Sequence, residues 1–134
     1  MSNLLAIDPG DTTGVAVIDL ETEHVVGGYI LDSVKGLVGI FNAYTPKVVV
    51  CEEFNRVHGS SGPHTRTMKL IGAIELLCVQ NGAQLVMQSN TMKDSYANEA
   101  AADDMVQALP GTSRRHVRDA LAHGKFYLAK RKMA

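Results

Sequence analysis

The 134-residue sequence predicts an α/β domain built on a mixed five-stranded sheet with helices on its faces. Two observations carry this expectation. Three apolar runs, 4–8, 14–20 and 24–31, stand close together near the N-terminus, joined by stretches short enough for antiparallel pairing. Two more runs, 47–53 and 83–89, then alternate with helical spacings, which is the pattern of parallel strands with helical crossovers. A hydrophobic content of 46% with 20% charged residues suits a single globular domain, 1–134, and argues against disorder.

Each element has its own justification. The first strand, "LLAID", ends in Asp8 and runs into a Pro-Gly turn. Asp-Pro-Gly is ordinary turn chemistry, but an unpaired buried charge is costly, so the aspartate is either a turn opener or a paired, bonded or metal-bound group. The acidic link "ETE" suits a hairpin between the second and third strands. Ser33 is the expected N-cap of a helix over 33–44. "KVVVCEE" (47–53) is too apolar to be half exposed and belongs in the sheet centre. The Gly- and Pro-bearing loop 54–64 leads to a helix over 65–82, closed by Asn81-Gly82. After the fifth strand, the Ala-rich stretch 90–109 is partly helical, Pro110-Gly111 breaks it, and Ser113 caps a last helix to about residue 131.

Several classes are argued against directly. Cys51 and Cys78 lie in apolar runs without a CxxC spacing, so a reduced cytoplasmic protein without disulfides is expected. No apolar run reaches the roughly 18 residues of a membrane span, and no basic region precedes an apolar one as in a signal peptide. The net charge of −1 hides a gradient. Residues 1–32 carry six acids and no Lys or Arg, whereas 112–134 carry Arg114, Arg115, Arg118, Lys125, Lys130, Arg131 and Lys132 against Asp119 alone. A basic segment binds phosphates through its local field, whatever the average.

In mixed sheets of this kind, sites form at the carboxyl ends of the parallel strands. Asp8 ends the first strand and Glu52-Glu53 the fourth, and the predicted topology makes these strands neighbours. Alternation puts Glu52 on Val50's face and Glu53 on the other, favouring Glu52, with Glu53 the alternative. Two carboxylates at adjacent strand ends repel one another, and a divalent cation relieves that repulsion. In "SRRHVRDALAHG", His116 and Asp119 are three residues apart, about 60° on the helix surface, beside a core stripe of Val117, Leu121, Gly124 and Leu128. An oxygen-rich set of this kind suits Mg²⁺ or Mn²⁺.

Together "IDPG" with "TTG", an apolar strand ending in Glu, and "HxxDALAHG" on the last helix resemble the RuvC-type Holliday junction resolvases of the RNase H-like superfamily. "MKLIGAI" (68–74) is similar to that family's long central helix. The resemblance implies an RNase H-like fold and two Mg²⁺ ions per site, replaceable by Mn²⁺, held by Asp8, Glu52, His116 and Asp119. It implies hydrolysis of branched DNA in recombination and repair, with an aromatic residue near Phe54 helping to open the junction. Arg56, Arg66, Lys69, Lys93, Arg114, Arg115, Arg118 and the basic C-terminus are the expected phosphate contacts. The alternatives are a YqgF-type RNA-processing nuclease, a DNA-binding module without catalysis, and a sugar-kinase or actin-like ATPase, the last needing two such domains.

The helix over 65–82 predicts a homodimer. Met68, Leu70, Ile71, Ile74, Leu76, Leu77 and Val79 spread around most of its circumference, and a helix apolar nearly all round is buried on two sides. One side faces its own sheet. The other is covered by a second copy, or by the segment 90–109.

Overall fold

The computed structural model describes residues 2–53 and 65–133; Phe54 and Arg56 lie outside the described residues. The strands are β1 (Asn3–Asp8), β2 (Thr13–Asp19), β3 (Val25–Leu31), β4 (Val48–Glu52) and β5 (Gln84–Gln88). They form one sheet in the order β3-β2-β1-β4-β5. The β3-β2-β1 part is antiparallel, while β1, β4 and β5 run parallel. The expected mixed α/β sheet, of RNase H-like topology, is the observed one.

Strand periodicity divides the core in two. Leu4, Ala6, Ala16, Ile18, Val48 and Val50 face α5 (Gly111–Lys132), whose Val117, Ala120, Leu121 and Leu128 complete that core. Leu5, Ile7, Val15, Val17, Val49 and Cys51 face α1 (Val34–Tyr44) and α2 (Thr65–Asn81), through Leu37, Phe41, Leu70 and Ile74. Covered on both faces, β1, β2 and β4 read as unbroken apolar runs instead of alternating ones.

The ends of α1 and α2 follow the expected chemistry. The Ser33 side chain accepts from the Gly36 amide at the N-cap of α1. Gly82, beyond α2, has a left-handed φ of 67° that a glycine adopts without strain. The last helix differs at its start: it begins at Gly111, behind Pro110. The Pro110 carbonyl accepts from the amides of both Ser113 and Arg114, so Ser113 lies inside the first turn and does not cap it.

The segment between β5 and α5 folds as a 3₁₀ turn (Met92–Tyr96), α3 (Ala97–Ala101) and α4 (Asp104–Gln107). Its Ala100 and Val106 join the core beneath α5. Among the described residues the segment therefore packs with α5 and not over the outward side of α2, contrary to the expectation that it covers that face. Cys51 and Cys78 are buried free thiols. Among the described residues no helix is long and apolar enough to cross a membrane.

Candidate active site

Three parallel strands end side by side, and their last side chains share the α5 face. Asp8 follows Leu4 and Ala6 in parity, Glu52 follows Val48 and Val50, and Gln88, paired with Glu52 in register, follows Val86. Glu53 is exposed, and its amide donates to the Gln88 carbonyl, so the strand parity that favoured Glu52 holds. Above these ends passes the N-terminal half of α5, carrying His116 and Asp119.

A short approach between helix and sheet makes the meeting possible. A Cβ on Gly14 would stand 2.1 Å from the His116 carbonyl oxygen, and one on Gly28 3.0 Å from Val117 Cγ1. Glycine at both positions lets α5 lie almost on the backbone of β2 and β3. Asp8, Pro9, Gly10, Asp11, Thr12, Arg115, His116 and Asp119 consequently line one cleft of about 590 Å³.

Charge interactions tie the cluster together. Lys93, from the 3₁₀ turn, donates to Glu52 Oε1 at 3.0 Å and lies 3.8 Å from Asp119 Oδ2. Arg118 donates from Nε and Nη2 to Asp119 Oδ1 at 3.1 and 3.0 Å. Burial, then a hydrogen bond and charge repulsion from Glu52, raise the Asp8 pKa to about 8. Glu52 goes the other way: burial works to raise it, but contacts with His123, Asp8 and Lys93 outweigh that and hold it at about 2. The pair thus keeps one proton, on Asp8, and one charge, on Glu52. Burial alone would lower Lys93, but the bond to Glu52 and the surrounding carboxylates raise it, so its ammonium is secure.

Among the described residues no three His, Cys, Asp or Glu side chains are set around a common metal-binding point. The Lys93 ammonium lies between Glu52 and Asp119. The donor chemistry nonetheless fits a hard divalent cation. Asp8, Glu52 and Asp119 come from separate elements and act on one another's charge, and burial with repulsion from Glu52 raises Asp8, a penalty that a bound cation would relieve.

The remaining basic residues are spread out. Arg115 lines the cleft, and the Arg114 Nε donates to the Leu109 carbonyl, bracing the start of α5. Arg66 and Lys69 border a second cavity, of about 530 Å³, which touches the first through Gly10 and Asp11. The C-terminal basic residues are not at the site. Lys125 pairs with Glu99, and Arg131 and Lys132 pair with Glu23 beyond β2, at the opposite end of the sheet. From Asp119 to Lys132 the helix runs about 20 Å.

Two site residues escaped the sequence reading, His123 and Gln88. In the sequence His123 sits between the core positions Leu121 and Gly124, yet it follows Asp119 by four residues, one helical turn further on the same face. Gln88 carried no signal beyond ending an apolar run.

No protein-family model and no curated protein matches the chain. Solved structures do. The RuvC of T. thermophilus in complex with a Holliday junction substrate superposes with a TM-score of 0.73 at 16% identity, over 98% of this chain and 96% of that one. The Fowlpox virus resolvase, solved with Holliday junction DNA, gives 0.67 at 13% identity, over 96% and 97%. The mitochondrial Holliday junction resolvase of yeast gives 0.63 at 13% identity, over 95% and 78%. The chain therefore has the RNase H-like fold of these resolvases over nearly its whole length.

Proposed function

We propose, on the premise of that shared fold, that this chain is a divalent-metal-dependent endonuclease that cuts branched DNA, with the four-way junction as its substrate. The observation that carries the reading is the convergence of Asp8, Glu52 and Asp119, with His116, at the strand ends. A DNA-binding module without catalysis has no use for carboxylates there, because they repel phosphates.

Asp8, Glu52, Asp119 and His116 are the residues that would hold two Mg²⁺ ions, or Mn²⁺ in their place. Metal held by these residues would supply activation of a water and stabilisation of the leaving 3′ oxygen for hydrolysis at phosphorus. The chain's own groups do the positioning. Arg115 offers a guanidinium to the scissile phosphate from the cleft wall, and Lys93, deeper in, neutralises carboxylate charge that would repel the strand. Arg66 and Lys69 extend the positive surface past Gly10 to a neighbouring arm. Such contacts read backbone shape and not sequence, which suits a junction.

The enzyme is proposed to work as a homodimer. Met68, Leu76 and Val79 are 42%, 57% and 81% exposed on the outward side of α2, and they share a stripe about 80° wide. A Cβ on Gly72, in the same stripe, meets nothing within 4 Å. A two-fold pair through this face presents two sites to a two-fold junction. The test is cleavage of a matched panel of four-way junction, three-way junction, fork, flap, duplex and RNA–DNA hybrid, with Mg²⁺ and with chelator. Metal-dependent cutting confined to branched DNA is expected. Cutting of the hybrid alone, or no cutting, refutes the reading.

A further inference from the structure

His123 is fully buried in the middle of α5, an unusual place for an imidazole unless it is bonded. One side is satisfied: its Nδ1 lies 2.7 Å from the end of the Gln88 side-chain amide, a group that accepts through its oxygen or donates through its nitrogen. The other side is not. His123 Nε2 is buried without a hydrogen-bond partner and points at Glu52 Oε1, 3.4 Å away. Gln88 is itself buried, and it pairs with Glu52 across the β4–β5 ladder. The ring is thus anchored with Nε2 facing the carboxylate of the neighbouring strand; with the Gln88 amide nitrogen turned to Nδ1, Nε2 carries the ring proton and is the donor aimed at Glu52.

We propose that His123, anchored by Gln88, is the positioning residue that sets the Glu52 carboxylate for metal binding and couples it to α5; this rests on the metal-dependent reading above. Both the His123 and Lys93 contacts fall on Glu52 Oε1, which leaves Oε2 outside them. Asp119 lies on the same helix, about 6 Å along the axis from His123. One rigid helix thus carries one ligand and holds another, so the spacing of Glu52 and Asp119 does not depend on a loop. Ligating carboxylates are ordinarily fixed by outer partners of this kind, whose loss weakens metal binding or activity by about 10–100-fold.

The test compares His123→Leu, His123→Gln and Gln88→Met with the parent. The full chain is titrated with Mn²⁺, free ion being read by electron paramagnetic resonance, and junction affinity is measured in chelator. His123→Leu keeps the apolar volume, Gln88→Met removes the anchor alone, and His123→Gln keeps an amide nitrogen towards Glu52. Expected are about 10–100-fold weaker Mn²⁺ binding in His123→Leu and Gln88→Met, recovery in His123→Gln, and unchanged junction affinity throughout. Where His123→Leu fails to fold, Gln88→Met carries the comparison with the ring still in place. Parent-like Mn²⁺ affinity and cleavage in folded His123→Leu or Gln88→Met overturn this inference alone. A parent that neither binds Mn²⁺ nor cuts junctions overturns the nuclease reading, and this inference with it.

Discussion

Gly14 and His116 touch through backbone: a Cβ added to the glycine would stand 2.1 Å from the histidine's carbonyl oxygen and 2.3 Å from its carbonyl carbon. The distance between sheet and helix, and hence between Asp8 and the His116–Asp119 pair, is set at this point. Gly14↔Asp8 is also a β2–β1 register pair, so the contact lies beside the first carboxylate.

Gly14→Ala should therefore damage the site more than an ordinary core substitution. Helix backbone cannot move aside as a side chain does, so α5 must lift. Loss of about 1–3 kcal/mol is expected from overpacking, together with a fall in cleavage that stability alone does not explain. Gly124→Ala is the comparison, because its nearest obstacle, at 2.7 Å, is the Ile18 Cδ1 methyl at the end of a flexible side chain. Thermal unfolding and cleavage at a temperature where both variants are folded decide the matter. Equal losses in the two would refute the special role of the Gly14 contact.

Asp8→Asn and Asp119→Asn should each abolish cleavage while junction binding persists or tightens, since a carboxylate is removed and the basic groups stay. His116→Asp should keep partial activity, because it exchanges one metal-binding group for another. Gel shifts in chelator and cleavage at saturating Mg²⁺ measure both properties. Near-normal cutting by either asparagine variant contradicts the assignment.

The metal-free protein should lose stability as pH rises from about 4 to about 8. Asp8 moves from an ordinary 3.8 to about 8 on folding, so over this window the native state binds the extra proton and stability falls with pH. Glu52 has the opposite sign and acts lower, its stabilisation disappearing as pH falls from 4.5 towards about 2. Denaturant midpoints in chelator should follow this slope, and Asp8→Asn should flatten it. Mg²⁺ should restore stability at the alkaline end, because a bound cation favours the ionised carboxylate. A parent midpoint constant from pH 5 to 8 argues against the shared proton.

Light scattering should give about twice the 14.4 kDa chain mass. Leu76→Glu and Val79→Glu should split the dimer and leave the fold intact, because both side chains are already exposed. Ile74, which the helical wheel places among the same apolar residues, is fully buried against the sheet, and a charge there would unfold the monomer instead. A monomer at every concentration, with and without DNA, defeats the dimer.

Much of this was legible in the sequence because strand alternation and helical periodicity are local. They placed all five strands and the α1 and α2 helices to within a residue or two, put Asp8 and Glu52 at adjacent strand ends, and set His116 and Asp119 on one helix face. What lay across the chain was not legible. Gln88, His123 and Lys93 meet Glu52 from three elements separated by as many as 71 positions along the chain, and no spacing rule foretells such a contact. The same holds for the basic C-terminus: its charge could be counted, but only the length and direction of α5 carried Arg131 and Lys132 to Glu23, away from the strand ends. Residue types and their periods selected the fold and proposed the ligands; packing decided which charges the ligands would face.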